Sequence, residues 1–373
     1  MEVLYENLLQ VTWQQVVMWI IGGILIFLAI KKEMEPTLLL PMGFGAILVN
    51  LPLSGAITQG DVHGPLSVLF DAGIANELFP LILFIGIGAM IDFTPLLTNP
   101  KLMIFGAAAQ FGIFFTMFLA SFFFNIKEAG SIGIIGAADG PTAIFVSMEL
   151  LGKDSDITAA IMVAAYSYMA LVPIVQPPVI KLCTTKKERL IRMNVKGKEV
   201  SKLTKILFPI VVTIIVGLVA PSAVALIGFL MFGNLIRECG VLNSLSETAQ
   251  KVLANLVTIF LGFTIATQMT ADKFLQPKTL LILGLGLFAF IFDTFGGVMI
   301  AKLMNLFLPE GKKINPMIGA AGISAFPMSA RVVNKMGLDE DNQNFLLMHS
   351  IGVNVSGQVA SVIAGGLILS FLR

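Results

Sequence analysis

The sequence predicts an all-α polytopic membrane protein, and its composition is the first observation behind that prediction. Hydrophobic residues make up 56% of the 373 residues and charged residues only 13%, with a mean hydropathy of +0.90. A soluble domain has about 25% charged residues, so this chain has too little polar surface to cover a soluble core of its size. Lipid must therefore cover the remainder.

The second observation is the spacing of apolar segments, since a membrane-spanning helix needs about 20 apolar residues. The segments predict about ten spans, at 12–30, 37–51, 76–92, 102–124, 157–180, 203–219, 221–236, 252–268, 279–305 and 344–371. Two further apolar stretches, 130–148 and 316–332, are rich in Gly, Ala and Pro and bounded by polar turns. We predict that these two are re-entrant hairpins, whose backbone must be satisfied by protein or water.

The third observation is that the two halves of the chain resemble each other. The pattern Ile-Gly-x-x-Gly-x-x-x-x-Pro occurs at 132–141 and again at 318–327. Each half holds five predicted spans and one hairpin, and an odd number of spans forces the second copy to insert upside down. We therefore predict an inverted-repeat, transporter-like fold with a first repeat at 1–182 and a second at 203–373.

The segment 183–202, between the two repeats, predicts a basic cytoplasmic loop. Residues 181–205 contain nine Lys or Arg and two Glu, and the positive-inside rule places such loops on the cytoplasmic side. No aromatic residues interleave with these charges, which argues against nucleic-acid binding. The two cysteines form no CxxC or Cys/His cluster, so we predict no transition-metal site. No catalytic triad or phosphate-binding loop is present in the sequence.

The first hairpin carries an acid, Asp139, within the apolar sequence Gly136-Ala-Ala-Asp-Gly-Pro-Thr142. A carboxylate at membrane depth costs about 3 kcal/mol on insertion scales, so it persists only with a cation, a proton or hydrogen bonds. Gly136 and Gly140 permit close backbone approach, Pro141 interrupts the helix, and Thr142 adds a hydroxyl. Hard oxygens on an unwound segment suit sodium. The alternative is an Asp that only caps the hairpin amides.

The spans that follow the two hairpins carry a second group of polar residues. The repeat aligns Tyr168 with Asn354, so these two side chains would face each other across the pseudo-two-fold axis, and Tyr166 remains a rival to Tyr168. Asn354 is predicted to belong to the site. Ser356 and Gln358 either join the site or form interhelical hydrogen bonds worth about 0.6–2 kcal/mol each.

The second hairpin lacks the acid, because Ala325 stands at the place that matches Asp139. It contributes Ser324 and Arg331 instead. Arg331 either binds an incoming carboxylate or ureido oxygen or anchors the hairpin at the lipid headgroups. Asp293, in the span at 279–305, is either a second ion ligand or a contact between helices.

One histidine also falls beside this group. His349 lies one turn before Asn354. It is either packed or able to transfer protons, since histidine titrates near neutral pH.

Four stretches give the chain a specific resemblance: the hairpin sequence from Gly136, Ala164-Ala-Tyr-Ser-Tyr-Met-Ala-Leu-Val-Pro, Gln176-Pro-Pro, and Asn344-Phe-Leu-Leu-Met-His. At these motifs, and over essentially its whole length, the sequence resembles the β subunits of biotin-dependent sodium-pumping decarboxylases. That family includes the oxaloacetate, methylmalonyl-CoA and glutaconyl-CoA enzymes.

The resemblance implies a division of labour between subunits. A carboxyltransferase α subunit would move a carboxyl group to biotin on a biotin carrier protein, and a small membrane-anchored subunit would complete the complex. This chain has no Met-Lys-Met biotinylation motif, so carboxybiotin must arrive on a partner.

 

The same resemblance implies which membrane holds the protein and how its copies assemble. The complex would lie in the bacterial cytoplasmic (inner) membrane, in contact with its lipid, and we expect several copies of this chain to form a homo-oligomer. Decarboxylation of carboxybiotin would consume a proton and drive sodium outward. The residues implied in this step are Asp139, Tyr168, Asn354 and Ser361, of which the last also pairs with Val175 in the internal repeat.

These expectations combine into one predicted site. Its catalytic residues are Asp139, Tyr168 and Arg331. Its sodium ligands are Asp139, Thr142, Asn354, Ser356 and Ser361. A rival function is a stand-alone sodium-coupled carboxylate transporter, which an inverted repeat fits equally well. The rival predicts solute uptake by the chain alone, without a biotin carrier.

Overall fold

The protein is described here by a computed structural model that covers residues 9–153, 155–193 and 199–373. Within these ranges the chain is helical and contains no β-strand. Eight helices of the described ranges are long and apolar enough to cross a membrane, and a bent pair raises the number to nine. The prediction of an all-α polytopic membrane protein is therefore confirmed. Residues 194–198 of the predicted basic loop, and 1–8 of the predicted first repeat, lie outside the described residues.

The helices of the first half begin after Thr12, whose side chain accepts a hydrogen bond from the Gln15 amide and caps the first of them. They are α1 (Trp13–Lys32), α2 (Pro36–Val49), α3 (Pro65–Gly73), α4 (Leu78–Met90), α5 (Met103–Ala109), α6 (Phe111–Ala120), α7 (Ile126–Gly133), α8 (Gly140–Leu151) and α9 (Asp156–Cys183). Helices α3 and α4 form the bent pair, with an angle of 66° between them.

The helices of the second half continue the series after the basic segment. They are α10 (Lys202–Val219), α11 (Val224–Cys239), α12 (Ala254–Ala266), α13 (Pro277–Phe307), α14 (Met328–Glu340) and α15 (Leu347–Leu372). Each predicted span coincides with helix, but several helices are shorter than a full span, among them α2 with 14 residues and α4 and α12 with 13 each. Helix α2 packs against α12, and α4 packs against α11, so each contacts a helix of the other half.

The short helix α4 crosses α11 at very close range through two glycines. A Cβ on Gly88 would collide with the carbonyl of Leu230, and a Cβ on Gly233 would collide with the carbonyl of Ile85. Only glycine lets two backbones approach so closely, which is how helices pack in membranes. The contact joins the first half of the chain to the second.

Two buried asparagines form reciprocal hydrogen bonds between the halves, one from α2 to the segment after α12 and one from α11 to the residue after α4. The Asn50 side chain, at the end of α2, donates to the carbonyl of Met269 beyond α12 at 2.8 Å. The Asn234 side chain, in α11, donates to the carbonyl of Ile91 beyond α4 at 2.9 Å. Two halves related by a two-fold axis would produce this exchange, and it supports the inverted repeat, which itself stays a prediction.

Replacing Asn50 by Ala is expected to lower the free energy of unfolding by about 2–3 kcal/mol, because buried polar groups would lose their partners. The side chain donates to Ala46 and Met269 and accepts from the Ala271 amide at 2.8 Å. Thermal unfolding in detergent measures the change. Asn50→Asp keeps the acceptor but places a carboxylate oxygen against the Ala46 and Met269 carbonyls, so it should be at least as destabilising as the Ala variant. An Ala variant as stable as the wild type would contradict this account.

The two predicted hairpins are interrupted helices that lie against α13 and α15. In the first, α7 runs into a tight turn at Ile134–Ala137, and Ala138 adopts a left-handed conformation with φ of 50° before α8 begins. In the second, the turn Pro316–Gly322 precedes α14. The two breaks meet where the Ser324 amide donates to the carbonyl of Ala137 at 2.9 Å. Their re-entrant insertion into a membrane stays a prediction.

The segment after α9 is tied to the base of the second hairpin. Arg189 forms an ion pair with Glu340 at 2.6 Å, and Arg192 forms one with Asp341 at 2.6 Å. The hydrogen bond from Arg192 holds the pKa of the Asp341 carboxyl below its usual range. The Asn315 side chain also donates to the Arg189 carbonyl. This basic segment and the second hairpin therefore form one connected surface.

Candidate functional site

Asp139 occupies the break in the first hairpin, immediately before α8. Its backbone is extended, with φ of −125°, and Pro141 in the first turn of α8 is tolerated because that position needs no amide donor. The side chain is 3% exposed and makes no hydrogen bond that caps α8. This geometry argues against the alternative of a simple capping residue.

Four side chains converge on one oxygen of this carboxylate, Asp139 Oδ2. The Thr142 hydroxyl donates to it at 2.7 Å and the Ser361 hydroxyl at 3.0 Å. The Ser324 hydroxyl lies at 3.3 Å and the Gln358 amide nitrogen at 3.4 Å. The donors come from α8, from the second hairpin and from α15. We call these five residues the Asp139 cluster.

The members of the Asp139 cluster are also bonded to one another. The Ser324 hydroxyl donates to Gln358 Oε1 at 2.7 Å, and the Ser361 hydroxyl lies 3.0 Å from the Ser324 hydroxyl. All of these side chains are at most 3% exposed. Ser324 therefore links both hairpins to α15 through its side chain and its backbone amide. The sequence left Gln358 between the site and a helix contact and named Ser324 as a possible site residue, and the structure brings both into contact with Asp139.

Asn354 lies in α15 and holds the second hairpin in place. Its side-chain amide donates to the carbonyls of Ala321 at 3.1 Å and Ile323 at 2.7 Å, directly before Ser324. Its Oδ1 is buried and has no hydrogen-bond partner among the described residues. Asn354 thus stands next to the Asp139 cluster with one free acceptor oxygen.

The two tyrosines of α9 point to different neighbours. The Tyr166 ring lies against Gly140, which follows Asp139, and no group of the described chain accepts a hydrogen bond from its buried hydroxyl. The Tyr168 hydroxyl donates to the carbonyl of Leu283 in α13. Of the two rivals, Tyr166 therefore contacts the hairpin that carries the acid, and Tyr168 contacts α13.

Other predicted residues lie outside the Asp139 cluster. The Ser356 hydroxyl donates to the carbonyls of Leu102 at 2.9 Å and Val353 at 2.6 Å, as expected of an interhelical contact. Arg331 is exposed on α14, and no hydrogen bond joins it to Asp139 within the described ranges. His349 is half-buried in the first turn of α15. Asp293 lies in α13, bonded to the Ile113 amide.

Sequence reasoning noted Gln176 in a motif but gave it no role in the site. The Gln176 side chain in α9 donates to the Ala320 carbonyl at 2.7 Å and to the Ser329 hydroxyl at 2.9 Å. It therefore holds the two arms of the second hairpin against α9. It is 0% exposed. A buried amide before two prolines in an apolar helix was the available signal, because a polar group at that depth needs partners.

The Asp139 cluster has a chemical character that defines a class of protein. The groups bonded to the carboxylate are neutral hydroxyls and an amide, and no Lys, Arg or His of the described chain forms an ion pair with it. A buried carboxylate without a basic partner favours a cation or a proton. The fold and the site therefore indicate a class of protein: multi-pass membrane proteins with a buried site suited to binding a cation or a proton.

Comparison with known proteins identifies the family. Residues 14–372 match the family described as the Na+-transporting oxaloacetate decarboxylase beta subunit, and the chain belongs to that family. It is 45% identical to the oxaloacetate decarboxylase beta chain of Klebsiella pneumoniae, across 96% of this chain and 95% of that one. The protein is therefore a membrane subunit of a sodium-translocating decarboxylase, and the resemblance drawn from its motifs is confirmed.

Relatives named for a second substrate are equally similar. The methylmalonyl-CoA decarboxylase subunit beta of Propionigenium modestum is 48% identical, across 95% of this chain and 94% of that one. The protein of the same name from Veillonella parvula is also 48% identical, across 98% of this chain and 95% of that one.

Proposed function

We propose that this subunit decarboxylates carboxybiotin, brought by a partner biotin carrier, and couples the reaction to sodium export with consumption of a proton. The observation that carries the proposal is the Asp139 cluster, a buried carboxylate surrounded by neutral oxygen-bearing groups. The comparisons support a shared intermediate. Relatives named for oxaloacetate and for methylmalonyl-CoA are about equally similar to this chain, so the membrane subunit acts on a species common to both reactions.

The oxygens around Asp139 suit sodium as the transported cation. Thr142, Ser324 and Ser361 each present a hydroxyl, and a hydroxyl can turn its lone pairs toward a cation when its proton finds another acceptor. The carboxylate supplies the charge, and Asn354 Oδ1 adds an acceptor oxygen beside the cluster. Broken helices near the middle of a transporter hold sodium in the same way. The Ser356 hydroxyl donates to the carbonyls of Leu102 and Val353 instead, so it has the least support among the predicted sodium ligands.

The site also fits a step that consumes a proton. Carboxybiotin supplies the bond that breaks: its N–C bond cleaves, carbon dioxide leaves, and the ureido nitrogen takes up a proton. A carboxylate that holds sodium has less affinity for a proton, so the two cations compete for Asp139. Tyr166, against the hairpin, and Tyr168, at α13, are the candidates to relay the proton. Arg331, exposed on α14, is placed to meet a carboxylate from the aqueous side.

The proposed partners are a carboxyltransferase α subunit, a biotin carrier protein and a small membrane-anchored subunit, in the bacterial inner membrane. The basic segment after α9 offers a surface for a soluble partner. A cavity of about 740 Å³ opens there, lined by basic side chains that include Lys187, Arg192, Lys302 and Lys313, together with Glu188 and Glu310. A net positive cavity favours an acidic partner surface.

The test separates this function from a stand-alone sodium-coupled carboxylate transporter. The chain is purified from its native membrane, probed for an avidin-binding partner, and reconstituted in liposomes with and without that partner. We expect copurification of a biotinylated protein, and sodium uptake that requires it and a decarboxylation substrate. Sodium-driven carboxylate uptake by the chain alone would establish the transporter instead.

A further inference from the structure

A second buried acid, Asp293, lies in the middle of α13 and plays no part in the Asp139 cluster. Its side chain is 0% exposed. Oδ1 accepts a hydrogen bond from the Ile113 amide of α6 at 3.1 Å. Oδ2 is buried and has no hydrogen-bond partner in the described part of the chain. A helix contact would need only Oδ1, so the second oxygen requires its own explanation.

The free oxygen faces the first hairpin. An added Cβ on Gly136 would lie 2.5 Å from Asp293 Oδ2 and 2.8 Å from the Ala289 Cβ. The turn Ile134–Ala137 therefore covers the carboxyl directly, and glycine is needed at 136 for that close approach. Asp139 follows this turn, so the two buried acids contact the same short segment of the first hairpin.

The other charged side chains of α13 and those of the long helices that pack against it lie near the helix ends: Lys278 and Lys302 in α13, Asp156 and Lys181 in α9, and Lys127 and Glu128 in α7. The charged pairs lie at the two ends of α13: Lys278 with Glu128, and Lys302 with Glu188. At a rise of 1.5 Å per residue, these ends are about 22 Å and about 13 Å from Asp293 along the helix.

The remaining titratable neighbour is Tyr168 of α9. It packs on Gly286, two turns before Asp293, and its hydroxyl is engaged by Leu283. Helices α5 and α6 and the turns Ile134–Ala137 and Pro316–Gly322 contain no ionisable side chain. No basic group of the described chain is therefore in a position to neutralise an ionised Asp293.

The occupant that fits this position is a proton. An isolated carboxylate in an apolar interior is unfavourable and takes up a proton instead. A sodium ion needs several oxygens and space beside the carboxylate, and Gly136 fills the space beside Oδ2. On protonation one O–H bond forms on the carboxyl and its charge changes from −1 to zero, while the hydronium ion of the solvent that gives the proton becomes a water molecule.

We propose that Asp293 is a proton-binding site controlled by the first hairpin. While the turn Ile134–Ala137 is seated on α13, Asp293 keeps its proton. When the turn withdraws, water reaches Oδ2 and the proton is released. Because Asp139 lies on the same hairpin, sodium at Asp139 and the proton at Asp293 are linked through one moving element. Proton binding at Asp293 does not depend on the proposed pumping function; only the link between that proton and sodium at Asp139 rests on it.

Infrared spectroscopy of protein with isotope-labelled aspartate tests the proton directly. We expect a band from a buried, protonated aspartic acid in the wild type at neutral pH and saturating sodium, a condition under which Asp139 holds sodium and is ionised. The band should disappear in Asp293→Asn and persist in Asp139→Asn. A wild type without the band, or a band that survives in Asp293→Asn, would overturn the proposal. The wild-type spectrum decides the question even if a variant folds poorly.

Transport by Asp293→Asn tests whether the proton moves. Asn keeps an acceptor for the Ile113 amide, so sodium binding should stay within about twofold of the wild type. Sodium uptake driven by decarboxylation should fall roughly a hundredfold, since Asn cannot exchange a proton. Sodium uptake by Asp293→Asn at the wild-type rate would show that Asp293 is only a helix contact. Loss of sodium binding in that variant would show that Asp293 is a sodium ligand. Either result would overturn the proposal. If the proposed biotin-dependent function proved wrong, the infrared test of the proton on Asp293 would still be valid.

Discussion

Asp139→Asn is expected to weaken sodium binding by roughly a hundredfold and to abolish sodium transport while leaving the fold intact. The substitution keeps the size of the side chain and removes its charge. The loss of a charged ligand costs about 3 kcal/mol, roughly a hundredfold in the dissociation constant for sodium. Sodium binding to purified protein, and sodium uptake by liposomes that contain the whole complex, measure the effect.

A pair of substitutions at Thr142 supplies the matched control. Thr142→Ser keeps the hydroxyl that lies 2.7 Å from Asp139 Oδ2, and Thr142→Val removes it with little change in shape. Sodium affinity should be close to that of the wild type in the Ser variant and lower by roughly tenfold in the Val variant, the cost of one hydrogen bond to a charged group. Sodium-dependent decarboxylation retained by Asp139→Asn would remove the carboxylate from the mechanism.

Gly233→Ala is expected to destabilise the fold strongly. The added Cβ would meet the carbonyl of Ile85 in α4, and a backbone atom cannot move aside as a side chain can. Overpacking of this kind costs about 3 kcal/mol or more in free energy of unfolding. Yield from membranes and the melting temperature in detergent measure the loss.

The control for this substitution lies in the same helix. Gly228 is also in α11, and a Cβ added there meets nothing within 4 Å. Gly228→Ala should therefore leave stability unchanged or raise it by up to about 1 kcal/mol through better helix propensity. Equal stability of the two alanine variants would show that the crossing of α4 and α11 tolerates a wider separation.

The sequence predicts the fold class and the central acid well, for physical reasons. Low charge and long apolar segments require lipid whatever the packing, and the helices were found where those segments lie. Asp139 stood out because a carboxylate is costly at membrane depth. Both signals are local, so neither needs knowledge of which helices touch.

The partners of Asp139 depend on tertiary contacts and were harder to predict. Ser356 and Gln358 are two residues apart on α15, and the sequence treats them alike. In the structure Gln358 faces Asp139, while Ser356 faces the Leu102 carbonyl. The choice between them is set by the rotation of α15 against the hairpins. Periodicity within one helix does not determine that rotation when almost every face of the helix is buried.

The hydrogen bond between the two hairpin breaks has a consequence for genetics. Its donor is the amide of Ser324 and its acceptor is the carbonyl of Ala137, so both atoms belong to the main chain. Every amino acid except proline carries that amide donor. Among all substitutions at position 324, most would therefore remove the side-chain hydroxyl but keep the main-chain hydrogen bond between the hairpins. Only the proline variant would lose that hydrogen bond.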